Sequence, residues 1–393
     1  MTGPIGAIVG TLVLVGAWER WQLARARRRV AIRVHVNGTR GKSTTTRLIA
    51  GALREAGIRT LGKTTGAAPR LILPDGCEQP IRRRAPASIR EQLWVLREAA
   101  RRRASALVVE CMAIDPELQA VSERDMIAAT IGVITNVRLD HGDVMGTTLD
   151  QVGAALSATV PHDALLVLGP TQGAGPIERA AATRGARLVH ARPDAATEAA
   201  AGSASGIDAA ASDIDAWMAD NICVALAVTR ALGIDDEVAR RGMQRAAPDP
   251  GMVERGTLAG TDPEVAYVDA TAANDPESLA RVLGDRPMAA RFVFHHRADR
   301  PYRLQQFAQA PPWRRPDDAV VVTGDRPDWA TWRRVRASVA PARLAYCPAD
   351  GLAALLRPTT AAPDRALPLV FCGNTKGFER QRLLAAMAAM ARG

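Results

Sequence analysis

Short apolar runs alternate along this chain with stretches of helical periodicity. VAIRVHV, from Val30 to Val36, is β-branched and brief, whereas KSTTTRLIAGALREAG, from Lys42, repeats its apolar positions on a helical period and stops at Gly57. ALVVE ends an apolar run on Glu110, and ATIGVITNVRLDHG carries a second apolar run into Asn136, Asp140 and His141. DNICVALAVTRALG reads as an apolar helix with Asn221 at its start, and FVFHH, AVVVTG and LVFCG read as strands of a second unit. Strand-helix alternation predicts an α/β fold with a parallel sheet, and polar groups at the carboxyl ends of its strands predict a ligand crevice there. The small-residue stretch between Ala181 and Ser212 reads as a loop or linker.

The first residues break this rhythm. Pro4 to Trp18 carries no charge and is followed by an arginine-rich stretch through Arg29. A cleaved signal would place its positive charges before the apolar run, and a core helix would bury it. The favoured expectation is one N-terminal membrane helix, with Trp18 and Trp21 at the interface and the arginines holding everything after Arg29 in the cytoplasm. The run is short for a hydrocarbon core of about 30 Å.

Composition adds little chemistry. The 393 residues suffice for two or three domains, and the net charge of +10 gathers partly at Arg20, Arg25, Arg27, Arg28, Arg29 and Arg33. Sparse aromatics that do not interleave with the basic residues argue against nucleic acid. Five scattered cysteines without C-x-x-C spacing suggest neither a disulfide framework nor a zinc site.

The chemistry begins at HVNGTRGKSTTT. The phosphate-loop pattern ends properly on Gly41, Lys42 and Ser43, but Val36 stands where its first glycine belongs. Strand, glycine turn and helix are nevertheless in order. Gly38 and Gly41 let backbone amides turn onto phosphate oxygens, Lys42 neutralises the outer phosphates, and Ser43 suits a magnesium ion.

This shortened loop resembles that of the Mur ligase superfamily, G-T-x-G-K-[ST], whose members phosphorylate a carboxylate with ATP before an amine attacks. The resemblance implies a nucleotide site at Asn37, Gly38, Thr39, Arg40, Gly41, Lys42, Ser43 and Thr44, with Asn221 near the adenine and Asp269 at the ribose. It implies a magnesium or manganese ion on Ser43, Glu110 and His141, and catalytic roles for Lys42, Glu110 and His141. Met252 stands where the family's interdomain arginine belongs, and Ala272 or Ala273 replaces a histidine of its D-x-A-H-N-P segment. The implied fold is a P-loop central domain at 30–250 and a smaller Rossmann-like domain at 251–393, after an anchor at 1–29.

Within the superfamily, LGKTTGAAPRLILPDG, VVECMAIDPELQ, ITNVRLDHGDVMG and the late GNTKG resemble the poly-γ-glutamate synthases of the PgsB/CapB type. That resemblance implies glutamate and a growing poly-γ-glutamate chain as substrates, a cell-membrane location, and small membrane subunits as partners, with homo-oligomers left open. Lysines occur only at Lys42, Lys63 and Lys376, none where many cell-wall ligases carry a carbamylated lysine, so Lys63 is a candidate replacement. Thr64, Thr65, Arg83 and Arg84 are candidates for carboxylate recognition, guanidinium forks being suited to that task. Two rivals stand beside this reading: a folylpolyglutamate synthase, and a membrane-tethered P-loop ATPase that powers assembly or export.

Overall fold

The structure is a computed structural model that describes residues 3–66, 69–83, 87–193, 212–247, 253–258, 265–271, 273, 275–284, 288–338, 343–351, 367–374, 378 and 383. The chain forms two compact units, residues 1–211 with 215–249, and residues 212–214 with 250–393.

The first unit is built on an eight-stranded sheet. Its strands are β1 (Ile32–Asn37), β2 (Thr60–Lys63), β3 (Arg70–Ile72), β4 (Glu78–Pro80), β5 (Ala106–Glu110), β6 (Ile131–Ile134), β7 (Leu165–Leu168) and β8 (Arg187–His190), in the order β4-β3-β2-β5-β1-β6-β7-β8. Pairing is parallel from β2 to β8 and antiparallel only at the β4-β3-β2 edge. Continuous apolar strands fit such a sheet because both of its faces are covered. Val34, Val36, Val108 and Val133 pack under α2 (Lys42–Glu55), together with Ile222 and Leu226 of a helix that closes this side. Leu61, Leu107 and Val109 face the other way, against Val95, Leu96 and Ala99 of α3 (Glu91–Arg101). Each such side chain contributes about 1.5–3 kcal/mol by leaving water, so the sheet holds its carboxyl ends as a fixed platform.

The N-terminal expectation is corrected. Helix α1 is continuous from Gly3 to Arg29, but among the described residues no helix is long and apolar enough to cross a membrane. The uncharged stretch rises only about 22 Å before Glu19 interrupts it. Its end does not trail as a loose juxtamembrane segment either: Leu23, Ala26 and Val30 belong to the core that α3 builds, and Arg27 Nε donates to the Met126 carbonyl at 3.2 Å. Ile8, Leu12, Val13, Leu14, Trp18 and Trp21, further up the helix, are exposed.

The second unit carries six strands: β9 (Glu254–Leu258), β10 (Val265–Asp269), β11 (Arg291–His296), β12 (Ala319–Gly324), β13 (Leu344–Tyr346) and β14 (Leu369–Gly373). Their order is β13-β12-β11-β14-β10-β9, parallel except for β9. Phe292, Phe294, Val320 and Val322 pack with Leu304, Phe307 and Trp313 on one face. Asn374, just past β14, ties two strand ends together: its Nδ2 donates to the His295 carbonyl at 2.9 Å, and Arg303 donates to its Oδ1 at 2.6 Å.

Candidate active site

The glycine turn between β1 and α2 is shaped by what lies behind it. Gly38 has φ 128°, and a Cβ there would sit 2.1 Å from Thr135 Oγ1 and 2.9 Å from the Thr135 amide. Gly41, at φ 76°, would meet Asn221 Oδ1 at 2.2 Å. Only glycine satisfies both the left-handed backbone and these approaches. The polar end of β6 then holds the loop. Asn136 Oδ1 accepts from Thr39 Oγ1 at 2.7 Å and from the Arg40 amide at 3.0 Å, while Thr135 Oγ1 and Asn136 Nδ2 both donate to the Arg40 carbonyl. Asn221 Oδ1 accepts from Thr45 Oγ1 at 3.1 Å, which fixes it against the first turn of α2.

Lys42 curls over the turn, its Nζ 2.6 Å from the Gly38 carbonyl. Ser43 donates its hydroxyl to Glu110 Oε2 at 2.8 Å, and the Thr65 amide donates to the same oxygen at 2.6 Å. Glu110 is buried, as the last residue of β5, and Gln92 of α3 donates to its main-chain carbonyl at 3.1 Å. A carboxylate and a hydroxyl converging beside a phosphate loop fit a hard, oxygen-seeking cation that keeps waters and takes its remaining ligands from phosphate. Ser43 and Glu110 would hold such an ion. No group of three His, Cys, Asp or Glu that could hold a metal occurs among the described residues.

His141 is connected to the loop through Asp140. Its ring is 3.8 Å from Asp140 Oδ2, an oxygen that also meets Arg40 Nη1 at 3.4 Å, so this histidine is joined to the loop through Arg40. Its φ of 48° marks a left-handed backbone at a non-glycine residue.

A second charged group stands beside Glu110. Lys63 is fully buried, with Nζ 3.4 Å from Glu91 Oε2 and 3.6 Å from Met112 Sδ. Burial pushes its pKa down, and Glu91 and Glu110 counter that in part. Glu91 also takes a two-pronged bond from Arg83, at 2.6 and 3.1 Å. Burial would raise the Glu91 carboxyl, but Arg83 and Lys63 outweigh it and hold its pKa low.

The remaining expected residues divide. Thr44 is half-buried, and Thr64 Oγ1 is buried without a hydrogen-bond partner among the described residues. Asn37 turns away from the loop, its Nδ2 donating to Gln119 Oε1 at 2.8 Å and Thr159 Oγ1 at 3.0 Å. Asp269 belongs to the second unit, where it accepts from the Thr271 amide and hydroxyl at 2.9 and 2.7 Å. Arg84 and Lys376 lie outside the described residues, as do Met252 and Ala272. Glu91 and Gln92 escaped the sequence reading; no local pattern marks them, because the groups they meet, among them Lys63 and the Glu110 carbonyl, come from other elements.

A glycine-turn nucleotide platform on a mainly parallel sheet, followed by a second parallel-dominated unit, defines an α/β protein of the Mur ligase type. Residues 36–160 match the Mur ligase middle domain, and residues 257–389 match the poly-gamma-glutamate synthase CapB C-terminal domain. The chain belongs to the CapB family of poly-γ-glutamate synthases. It is 39% identical over 315 residues to the capsule biosynthesis protein CapB of Bacillus anthracis, covering 78% of this chain and 66% of that one. It is 37% identical over 309 residues to the PGA synthase CapB of Bacillus subtilis strain 168, covering 76% and 75%. The match thus leaves about a third of the first relative's length without a counterpart. The fold is also similar to MurF of Acinetobacter baumannii, with TM-score 0.61, 16% identity and coverage of 95% of this chain and 79% of that one. A bifunctional folylpolyglutamate synthase/dihydrofolate synthase of Yersinia pestis, solved with AMPPNP and a manganese ion, gives TM-score 0.60 at 16% identity, covering 94% and 92%.

Proposed function

We propose that this chain is an ATP-dependent acid–amino-acid ligase that lengthens a glutamate chain through γ-amide bonds. The supporting observation is the Glu110 carboxylate, held by Ser43 and the Thr65 amide against a glycine turn, in a chain of the CapB family. A γ-carboxylate oxygen attacks the terminal phosphorus of ATP and ADP leaves; the amine of the next glutamate then attacks the acyl carbon and phosphate leaves. Such transfer asks the protein mainly for positioning and charge neutralisation.

In this reading, residues 30–250 bind ATP and residues 251–393 complete the enzyme. The amides from Gly38 to Ser43, with Thr44, cradle the phosphates, Lys42 swings from the Gly38 carbonyl onto them, Asn221 borders the adenine and Asp269 meets the ribose. Magnesium or manganese on Ser43 and Glu110, with His141 beside it, supplies positive charge to the phosphate oxygens when bound; the Yersinia pestis relative in fold was solved with manganese and AMPPNP. Lys63 adds a fixed positive charge behind Glu110, and Thr64, Thr65, Arg83 and Arg84 border the carboxylate. The exposed apolar face of α1, at Ile8, Leu12, Val13, Leu14, Trp18 and Trp21, is the part of this chain that meets a membrane surface and small membrane subunits.

The test supplies membranes carrying the full chain with ATP, magnesium or manganese and labelled glutamate, without folate. Phosphate release matched to γ-linked polymer is expected. ATP hydrolysis unaffected by glutamate refutes the ligase reading, and a strict need for folate moves the chain to the folylpolyglutamate synthases.

A further inference from the structure

At the end of the first sheet opposite the glycine turn lies a cavity of about 490 Å³, walled by Arg33, Glu123, Arg124, His162, Asp163 and Arg184 among others. It opens where β1, β6 and β7 begin, and no residue of the candidate active site faces it.

Its two inner arginines are each held by main-chain carbonyls and keep donors to spare. Arg33 donates from Nε to the Ile127 and Ala128 carbonyls at 3.1 and 3.0 Å, and from Nη1 to Arg27 and Val30 carbonyls at 3.1 and 2.8 Å. Arg184 donates from Nη1 alone, to the carbonyls of Ser157, Ala158 and Val160. Arg33 Nη2, and Arg184 Nε and Nη2, make no hydrogen bond to any described residue. Arg184 is thus a pre-oriented donor with a free Nε–Nη2 fork, and Arg33 one with a single free nitrogen, Nη2.

The charges in the wall do not cancel. Glu123 is the one buried acid there, and both its oxygens are taken, Oε2 by His35 Nδ1 at 2.7 Å and Oε1 by the Ala129 amide at 2.8 Å. Arg124 pairs with Asp125 at 2.7 Å, outside the cavity wall. Asp163 and His162 sit exposed at the rim. Burial lowers the pKa of both Arg33 and Arg184, Glu123 counters this only in part, and an arriving anion would offset what remains.

We propose that this cavity is a binding site for a small oxyanion, a phosphate or a carboxylate, taken by the free fork of Arg184 and by Arg33 Nη2. The planar fork of Arg184 suits either group, and Arg33 Nη2 adds a further charged donor. Through Glu123 and His35 the occupied wall is joined to β1, whose far end carries the glycine turn.

Inorganic phosphate and glutamate are titrated separately against the full chain at fixed ionic strength, with chloride as the blank, while the unfolding temperature is read. A saturable rise of roughly 2–5 °C with one of them is expected, and which one responds identifies the anion. Because the glycine turn also attracts phosphate, the same titrations are run on Lys42→Ala and Arg184→Gln. The rise survives in Lys42→Ala and vanishes in Arg184→Gln. Should Arg184→Gln fold poorly, Ala158→Glu places an acid in the wall and abolishes the rise in a folded chain. No rise in the parent chain, or any other pattern among the variants, overturns the proposal.

Discussion

Ser43 Oγ lies 2.8 Å from Glu110 Oε2, which joins the first turn of α2 to the carboxyl end of the neighbouring strand β5. The contact depends on the β1-β5 register, in which Val36 stands opposite Glu110, so that the last residue of one strand reaches the helix that follows the other. A hydroxyl and a buried carboxylate fixed at that point fit the proposed divalent cation, whose charge would join that of Lys63 in offsetting the carboxylate's burial.

Glu110→Gln tests this directly. The amide keeps the size of the side chain and removes its charge, so the fold is expected to stay while glutamate ligation falls about 100-fold or more. Initial rates of labelled polymer formation, set beside the urea midpoint, separate the two effects. Activity within about threefold of the parent would remove Glu110 from the metal site.

The glycine turn makes a prediction about stability with its own control. Gly57 has φ 78° and open space where an added methyl group would sit, so Gly57→Ala meets only backbone strain, about 1 kcal/mol. Gly38→Ala adds contact with the Thr135 amide, which cannot swing away, and is expected to cost about 3 kcal/mol or more. Urea unfolding of both variants checks the difference. Equal losses would mean that the packing of Thr135 behind the loop is unimportant.

The parts of this site that were legible in the sequence are the local ones. Strand, turn and helix around Gly38 to Ser43 follow from periodicity and two glycines, and Glu110 announces itself by ending an apolar run. What holds them was not legible. Gln92 reaches the Glu110 carbonyl from a helix, Glu123 reaches His35 from a π-helical turn (Ser122–Ile127), and neither pairing leaves a mark in nearby sequence. Hydropathy alone also misjudged α1, because it registers the apolar first half and not the docking of Leu23, Ala26 and Val30 against α3. Asn37 sits within the loop motif yet serves Gln119 and Thr159, a choice made by which face of β1 it occupies.

Lys63 can be separated from its structural surroundings. In Lys63→Met the apolar stem remains, Glu91 keeps its two bonds from Arg83, and Glu110 keeps its bonds from Ser43 and the Thr65 amide. Stability is expected to change by less than about 1.5 kcal/mol, in line with a volume-conserving core exchange. Ligation is expected to fall at least about tenfold, chiefly in kcat, if the buried ammonium helps neutralise the transferring phosphoryl group. Parallel kinetics and unfolding decide it: a large loss of stability with an unchanged kcat would make Lys63 a structural residue only.

His35 and Glu123 give the chain a pH signature. Burial works against a charged His35 ring, but the neighbouring Cys111 and the hydrogen bond with Glu123 outweigh burial and push its pKa up to about 10, from an ordinary value near 6.5. A histidine whose folded pKa lies above its unfolded one contributes stability in full below the unfolded value and loses it as pH climbs through the folded value. Stability from this pair is therefore expected to be complete below about pH 6.5, to decline across the window from there to about 10, and to be gone above it. The decline should amount to a few kcal/mol. In His35→Gln the unfolding free energy should start lower and run nearly flat across the same window. Urea unfolding at steps between pH 6 and 10 measures both slopes, and parallel curves for parent and variant would show that the His35 ring is not charged in the folded chain.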